Sequence, residues 1–239
     1  LGAVCNILHQ EGSLAEVVSR FEYEKARQLG VPGDKIIFNG PNKDRAILER
    51  AVGEGAQIHL DHLDELLLVE AVAEAQGKRA RVALRLNFDT GYTEPWSRFG
   101  FNLESGQASQ AARLAAGSRH LELMGLHSHI GTFILEPRAY AEQVRIMCRF
   151  MRELESSHDV NIQVIDVGGG LPSLNALQSM YLPPEQVVPS VEEFAEAICG
   201  TLSEETRYRS HTKRPLPRLI FESGRAVVDD AQVLITSVV

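Results

Sequence analysis

The run His127-Ser128-His129 ends a mostly apolar stretch, and on a strand residues i and i+2 face the same way. Two imidazoles so placed suit two metal ligands, with His59, Asp61 and His62 as possible additions. They equally suit one imidazole laid flat on a planar cofactor, or a structural histidine pair. Further on, Asp166-Val167 runs into Gly168-Gly169-Gly170, and backbone N–H groups can approach an anion closely where side chains are absent. A tight turn explains the same triplet. Glu222-Ser223-Gly224-Arg225 follows the next apolar run, and Arg225 could add a bidentate contact to a phosphate. Taken together, the two loops point to phosphate binding.

These residues need a frame. Short apolar runs at Ala15–Ser19, Lys35–Asn39, Gln57–Asp61, Arg81–Asn87, Leu121–His127, Gln163–Val167 and Arg218–Glu222 predict strands. Helix patterns fall between them, near Phe21–Leu29, Asp44–Val52, Leu63–Gln76, Gln107–Ala116, Pro137–Glu155 and Val191–Leu202, and another opens the chain. The stretch Leu182–Pro189 is expected to be a loop leading into a helix. Alternating strands and helices imply a parallel sheet. Seven strands preceded by a helix, plus one strand upstream of residue 1, make a (β/α)8 barrel, which typically runs to about 250 residues. An open doubly wound sheet is the rival, but the first visible βα turn has no GxGxxG fingerprint. Barrel chemistry sits at the C-terminal ends of strands. Here those ends carry Asn39, Asp61, Arg85 with Asn87, His127 with His129, Asp166 and Glu222.

Composition removes other classes. The 239 residues are 44% hydrophobic, enough for a full core, and the formal net charge of −8 disfavours nucleic acid or an anionic membrane as partner. No apolar run is long enough to span a bilayer, and no signal peptide is evident. Cys5, Cys148 and Cys199 form no CxxC pair and are expected to be reduced, buried thiols in a cytoplasmic protein.

In order and spacing, these motifs resemble the fold-type III pyridoxal-phosphate (PLP) decarboxylases, the group of diaminopimelate, ornithine and arginine decarboxylases. The carriers are Ala15–Ser19, Ile36–Gly40, Ala83–Asn87, Arg98-Phe99-Gly100, His127–Thr132, Asp166–Gly170 and Glu222–Arg225, spread over essentially the whole chain. The resemblance implies an α/β fold, an alanine-racemase-like TIM-type barrel missing its first strand and the C-terminal β domain. It implies catalytic roles for Glu222, facing the pyridine nitrogen, and for His129, stacked on the pyridine ring. The phosphate falls to Thr132, Gly168, Gly169, Gly170, Gly224 and Arg225. Arg85 lines the cofactor pocket and Glu16 lies on the cofactor's hydroxyl side. Related racemases carry arginine where Glu222 stands, so Glu222 favours decarboxylation.

The departures are Ser223 for proline, Thr132 for serine, and the lysine that holds the cofactor covalently. The family places that lysine at the end of strand one, and none of Lys25, Lys35, Lys43, Lys78 or Lys213 matches it. Lys43, nearest a strand end, is expected to face solvent. The expected organisation is a PLP barrel over residues 1–226 and the start of a second domain over 227–239, a fragment inactive alone. The full-length form is expected to be a homodimer acting on an amino acid, diaminopimelate-type preferred. The alternatives are a non-catalytic barrel homologue and a metal-dependent hydrolase using His127 and His129.

Overall fold

The structure is a computed structural model that describes residues 2–174 and 181–229. After helix α1 (Gly2–Gln10) come seven βα repeats: β1 (Ala15–Val17), α2 (Arg20–Gln28), β2 (Ile36–Phe38), α3 (Arg45–Glu54), β3 (Gln57–Leu60), α4 (Leu63–Ala75), β4 (Ala80–Asn87), β5 (Phe101–Asn102), α5 (Gln107–Gly117), β6 (Leu121–Ser128), α6 (Pro137–Ser157), β7 (Val164–Asp166), α7 (Pro184–Val187), α8 (Val191–Glu205), α9 (Tyr208–Thr212), β8 (Arg218–Ile220) and α10 (Gly224–Val228). All strands are parallel, in the order β1-β2-β3-β4-β6-β7-β8, with the two-residue β5 attached to β4. This is the expected barrel in partial form: among the described residues no pairing joins β1 to β8.

Local chemistry starts and stops these elements. Ser19 Oγ accepts from Glu22 N at α2, and Ser190 forms a full capping box with Glu193 at α8. Pro137 stands in the first turn of α6, where its missing N–H costs nothing. Strands β2, β3 and β7 are buried at every position, as a sheet covered on both faces requires. Inside the barrel small residues make room: a Cβ on Gly125 would lie 3.1 Å from both the Ala83 and Val164 side chains.

Three expectations change. β8 ends at Ile220, so Glu222 lies beyond the strand. Part of the expected Leu182–Pro189 loop forms the helical turn α7. Of the three cysteines, all free, Cys148 is buried but Cys199 is exposed, on the outer face of α8. The expected domain edge at 226 falls within α10, and residues 230–239, most of the expected second domain, lie outside the described part.

Candidate active site

Register brings the polar strand ends into one layer. Arg85, His127, Asp166 and Ile220 are successive partners across β4, β6, β7 and β8. The alignment depends on a bulge: Val82 pairs with Leu123 but Ala83 pairs with Gly125, so Met124 is an extra residue in β6. On β1, Glu16 stands between the buried Ala15 and Val17 and so faces the opposite way, into the mouth.

Glu222 is the hub. Asn39 Nδ2 donates to its Oε1 at 3.0 Å, and His127 Nε2 lies 3.4 Å from the same oxygen. Glu16 and Asp166 complete a trio of carboxyls, both acted on by the charge of Glu222. Burial, reinforced by the charge on Glu222, pushes Glu16 up to about 8 and Asp166 well above its usual range. Burial would push Glu222 up too, but the facing His127, with His59 and His129 behind it, outweighs that and holds it down at about 2. Of the three, Glu222 keeps the charge at neutral pH. Burial, then the neighbouring His127, lowers His129 to about 4, so its ring is neutral.

The glycine run is clamped to the Glu222 segment. Gly168 N donates to Asp166 Oδ1 at 2.9 Å, and Glu222 N donates to Gly168 O at 2.9 Å. A Cβ on Gly169 would stand 2.7 Å from Glu222 O, and one on Gly170 would overlap the Gly131 carbonyl. From α6, Tyr140 Oη donates to Gly169 O at 2.9 Å, and Gln143 Nε2 donates to Ser128 O at 2.8 Å and Val167 O at 3.1 Å. Across the cradle Arg225 Nη2 donates to Thr132 Oγ1 at 3.4 Å, with its guanidinium over the Phe133 ring. Arg85 rests on Phe99, 4.8 Å from the ring centroid, and pairs with Asp61 at 3.4 Å.

The structure thus gathers Glu16, Arg85, His129, Thr132, Gly168, Gly169, Gly170, Glu222, Gly224 and Arg225 around one mouth. Sequence reading missed Asn39 as a partner of Glu222, and Tyr140 with Gln143 as supports of the glycine run. The last two sit three residues apart on the apolar face of α6, where a buried tyrosine and glutamine signal a fixed hydrogen-bond partner.

Two expectations are corrected. His127 and His129 do not make a shared ligand pair. β6 ends at Ser128, so strand alternation does not reach His129, and the grouped ligand atoms, within 4.8 Å of one another, belong to His59, His127, Asp166 and Glu222. Asp61 is paired with Arg85, and His62 Nδ1 caps α4 by accepting from Glu65 N at 3.2 Å. Lys43 does not face solvent. Its buried ammonium donates to Gly40 O at 2.6 Å, His59 O at 2.8 Å and Glu65 Oε1 at 2.7 Å, partners that offset the cost of burying a charge.

Residues 2–229 match the pyridoxal-dependent decarboxylase, pyridoxal binding domain. The chain belongs to this family. Its cofactor is pyridoxal 5'-phosphate. The chain is similar to diaminopimelate decarboxylase of Methanocaldococcus jannaschii, with 30% identity over 99% of this chain and 53% of that protein. It is similar to the Aquifex aeolicus enzyme at 28%, over 97% of this chain and 53% of the other. A crystal structure of the M. jannaschii diaminopimelate decarboxylase superimposes with a TM-score of 0.81 at 27% identity, covering 95% of this chain and 51% of that one. The chain spans about half the length of the relatives it matches. None of these likenesses supports a metal hydrolase or a non-catalytic homologue.

The residues fit PLP. Glu16 Oε1, Asn39 Oδ1, His127 Nδ1 and Asp166 Oδ2 are buried without a hydrogen-bond partner around an ionised carboxylate, and the glycine run holds a cradle that side chains would fill. Lys43, which follows β2, is committed to Gly40 O, His59 O and Glu65. Lys25 is exposed on α2, and Lys35, Lys78 and Lys213 are exposed in segments that precede strands, at the opposite end of the barrel.

Proposed function

We propose that this chain is the cofactor-binding barrel of an enzyme that decarboxylates an amino acid, diaminopimelate-type preferred. The observation that carries the reading is the ionised Glu222, held by Asn39 and His127 beside the glycine cradle. Bound PLP supplies an electron sink for the pair of electrons left when a carboxylate departs as CO2. Glu222 holds the proton on the ring nitrogen and so strengthens that sink. His129 offers the face of a neutral ring. Gly168, Gly169, Gly170, Gly224, Thr132 and Arg225 hold the phosphate, and Arg85 and Glu16 line the remaining wall.

Diaminopimelate is favoured because the closely matching relatives are named for it. The covalent lysine, if used, comes from outside residues 2–229, and a homodimer in the cytoplasm is part of the same reading. Among the described residues no helix is long and apolar enough to cross a membrane.

The test has two arms. PLP titrated into the chain should bind saturably, with inorganic phosphate competing, and borohydride reduction should label no single lysine stoichiometrically. The protein expressed from its complete gene should release CO2 from diaminopimelate faster than from ornithine or arginine. Absence of PLP binding, or turnover of none of the three, would sink the reading.

A further inference from the structure

Between β4 and β5 the chain crosses the end of β6 as a strap. Asn87 Nδ2 donates to Phe99 O and Gly100 O, both at 2.8 Å, and Asn102 Nδ2 orients that amide by donating to Asn87 Oδ1 at 2.9 Å. Gly100 has φ +84°, and a Cβ there would stand 2.6 Å from Arg85 O, so the strap lies directly on β4. At its middle Thr93 Oγ1 donates to Ile130 O at 3.4 Å, and Tyr92 lies under the Arg138 guanidinium at 5.4 Å. The strap therefore has a defined course, and it carries the one tryptophan of the chain, Trp96, onto His129. The two ring centroids are 6.0 Å apart with planes inclined by 35°. The crevice they share with Asn87, Thr93 and Pro95 is too narrow for a water molecule.

His129 needs such support. It lies past the last residue of β6, so the sheet does not set its ring. Its Nδ1 accepts a long bond from Gly131 N at 3.4 Å, and its Nε2 faces the bare backbone of Gly169. Packing is left to fix the ring plane.

We propose that Trp96 is a positioning residue for His129: it backs one face of the imidazole and leaves the other face for the cofactor ring. The proposal rests on the PLP reading above for what the second face meets, and on the ring geometry alone for the first. Aromatic pairs of this separation contribute modestly. Loss of the pair should therefore weaken PLP binding roughly 2- to 10-fold.

The experiment uses the chain with histidine side chains isotopically labelled, His129→Gln serving only to assign the His129 resonance. In the absence of PLP, Trp96→Leu should move the His129 ring protons downfield as the ring current is lost. Trp96→Phe should move them less, and the His59 and His127 signals should stay in place. Titration with PLP should then quench the Trp96 emission saturably in the parent. By absorbance, Trp96→Leu should bind PLP more weakly, with Trp96→Phe largely restoring affinity. His129 resonances identical in the parent and Trp96→Leu would overturn the ring pair. A shifted His129 with unchanged PLP affinity in Trp96→Leu would overturn the positioning role. A His129 shift between parent and Trp96→Leu, with no PLP binding by the parent, would overturn the role at the cofactor and the PLP reading with it, while leaving the ring pair established.

Discussion

His127 Nε2 and Glu222 Oε1 lie 3.4 Å apart, tying the end of β6 to the segment beyond β8. Glu222 is two residues past its strand, so the sheet does not position it. The contact with His127, the Asn39 amide at 3.0 Å and the backbone bond from Glu222 N to Gly168 O do so instead. Glu222 is thereby tied to the glycine run through its backbone and to two strand ends through its carboxylate.

Glu222→Gln keeps the shape and removes the charge. A charge-assisted hydrogen bond contributes about 1.5–3 kcal/mol. PLP affinity, measured by absorbance titration, should fall roughly 10- to 150-fold. Unchanged affinity would mean that Glu222 is not the partner of the ring nitrogen.

Gly169→Ala tests the close approach of the cradle to Glu222. The added methyl would stand 2.7 Å from Glu222 O, so either the backbone or the Glu222 segment must give. Overpacking of this kind costs about 1–3 kcal/mol. Urea unfolding should show that loss, and PLP binding should weaken with it. A variant as stable as the parent would show that the two segments do not press together.

The buried pair Lys43–Glu65 should matter to stability. Breaking a buried pair by removing one partner costs about 3–5 kcal/mol. Lys43→Met should lose that much in urea unfolding, because the Glu65 carboxylate keeps its bond from Asp61 N at 2.7 Å but not its cation. The double variant Lys43→Met/Glu65→Leu should recover part of the loss. A single variant within experimental error of the parent would contradict the burial of Lys43.

Glu16 predicts a slope of stability with pH. Burial and the charge on Glu222 raise its folded value to about 8, above the usual 4.5. The folded chain therefore holds a proton that the unfolded chain releases between these values. The contribution is complete below about 4.5 and is lost as pH rises through about 8. Glu16→Gln should flatten the slope and gain on the order of 2 kcal/mol at pH 8, about 4–8 °C in Tm. Parallel curves for the two proteins across this range would refute the raised value.

Much of the frame was legible because it rests on local physics. Alternating apolar runs and amphipathic helices set the βα order, and glycines at Gly168–Gly170 flagged a backbone needing close approach. Lys43 shows the limit. A lysine at a helix start reads as solvated, and only the fold brings two carbonyls and Glu65 around it.

The sequence by itself determined which residue types stand at the strand ends, because side-chain alternation and turn chemistry act over a few residues. The tertiary structure decided which of them meet. Without the extra residue Met124 in β6, pairing would slip by one and His127 would leave the mouth that Arg85 and Asp166 share. Which of three carboxyls keeps its charge was likewise beyond the sequence. Glu16, Asp166 and Glu222 are alike as isolated acids, and only burial and the neighbours Asn39 and His127 separate them. Such long-range terms depend on distances between residues far apart in the chain, and the folded arrangement alone sets those.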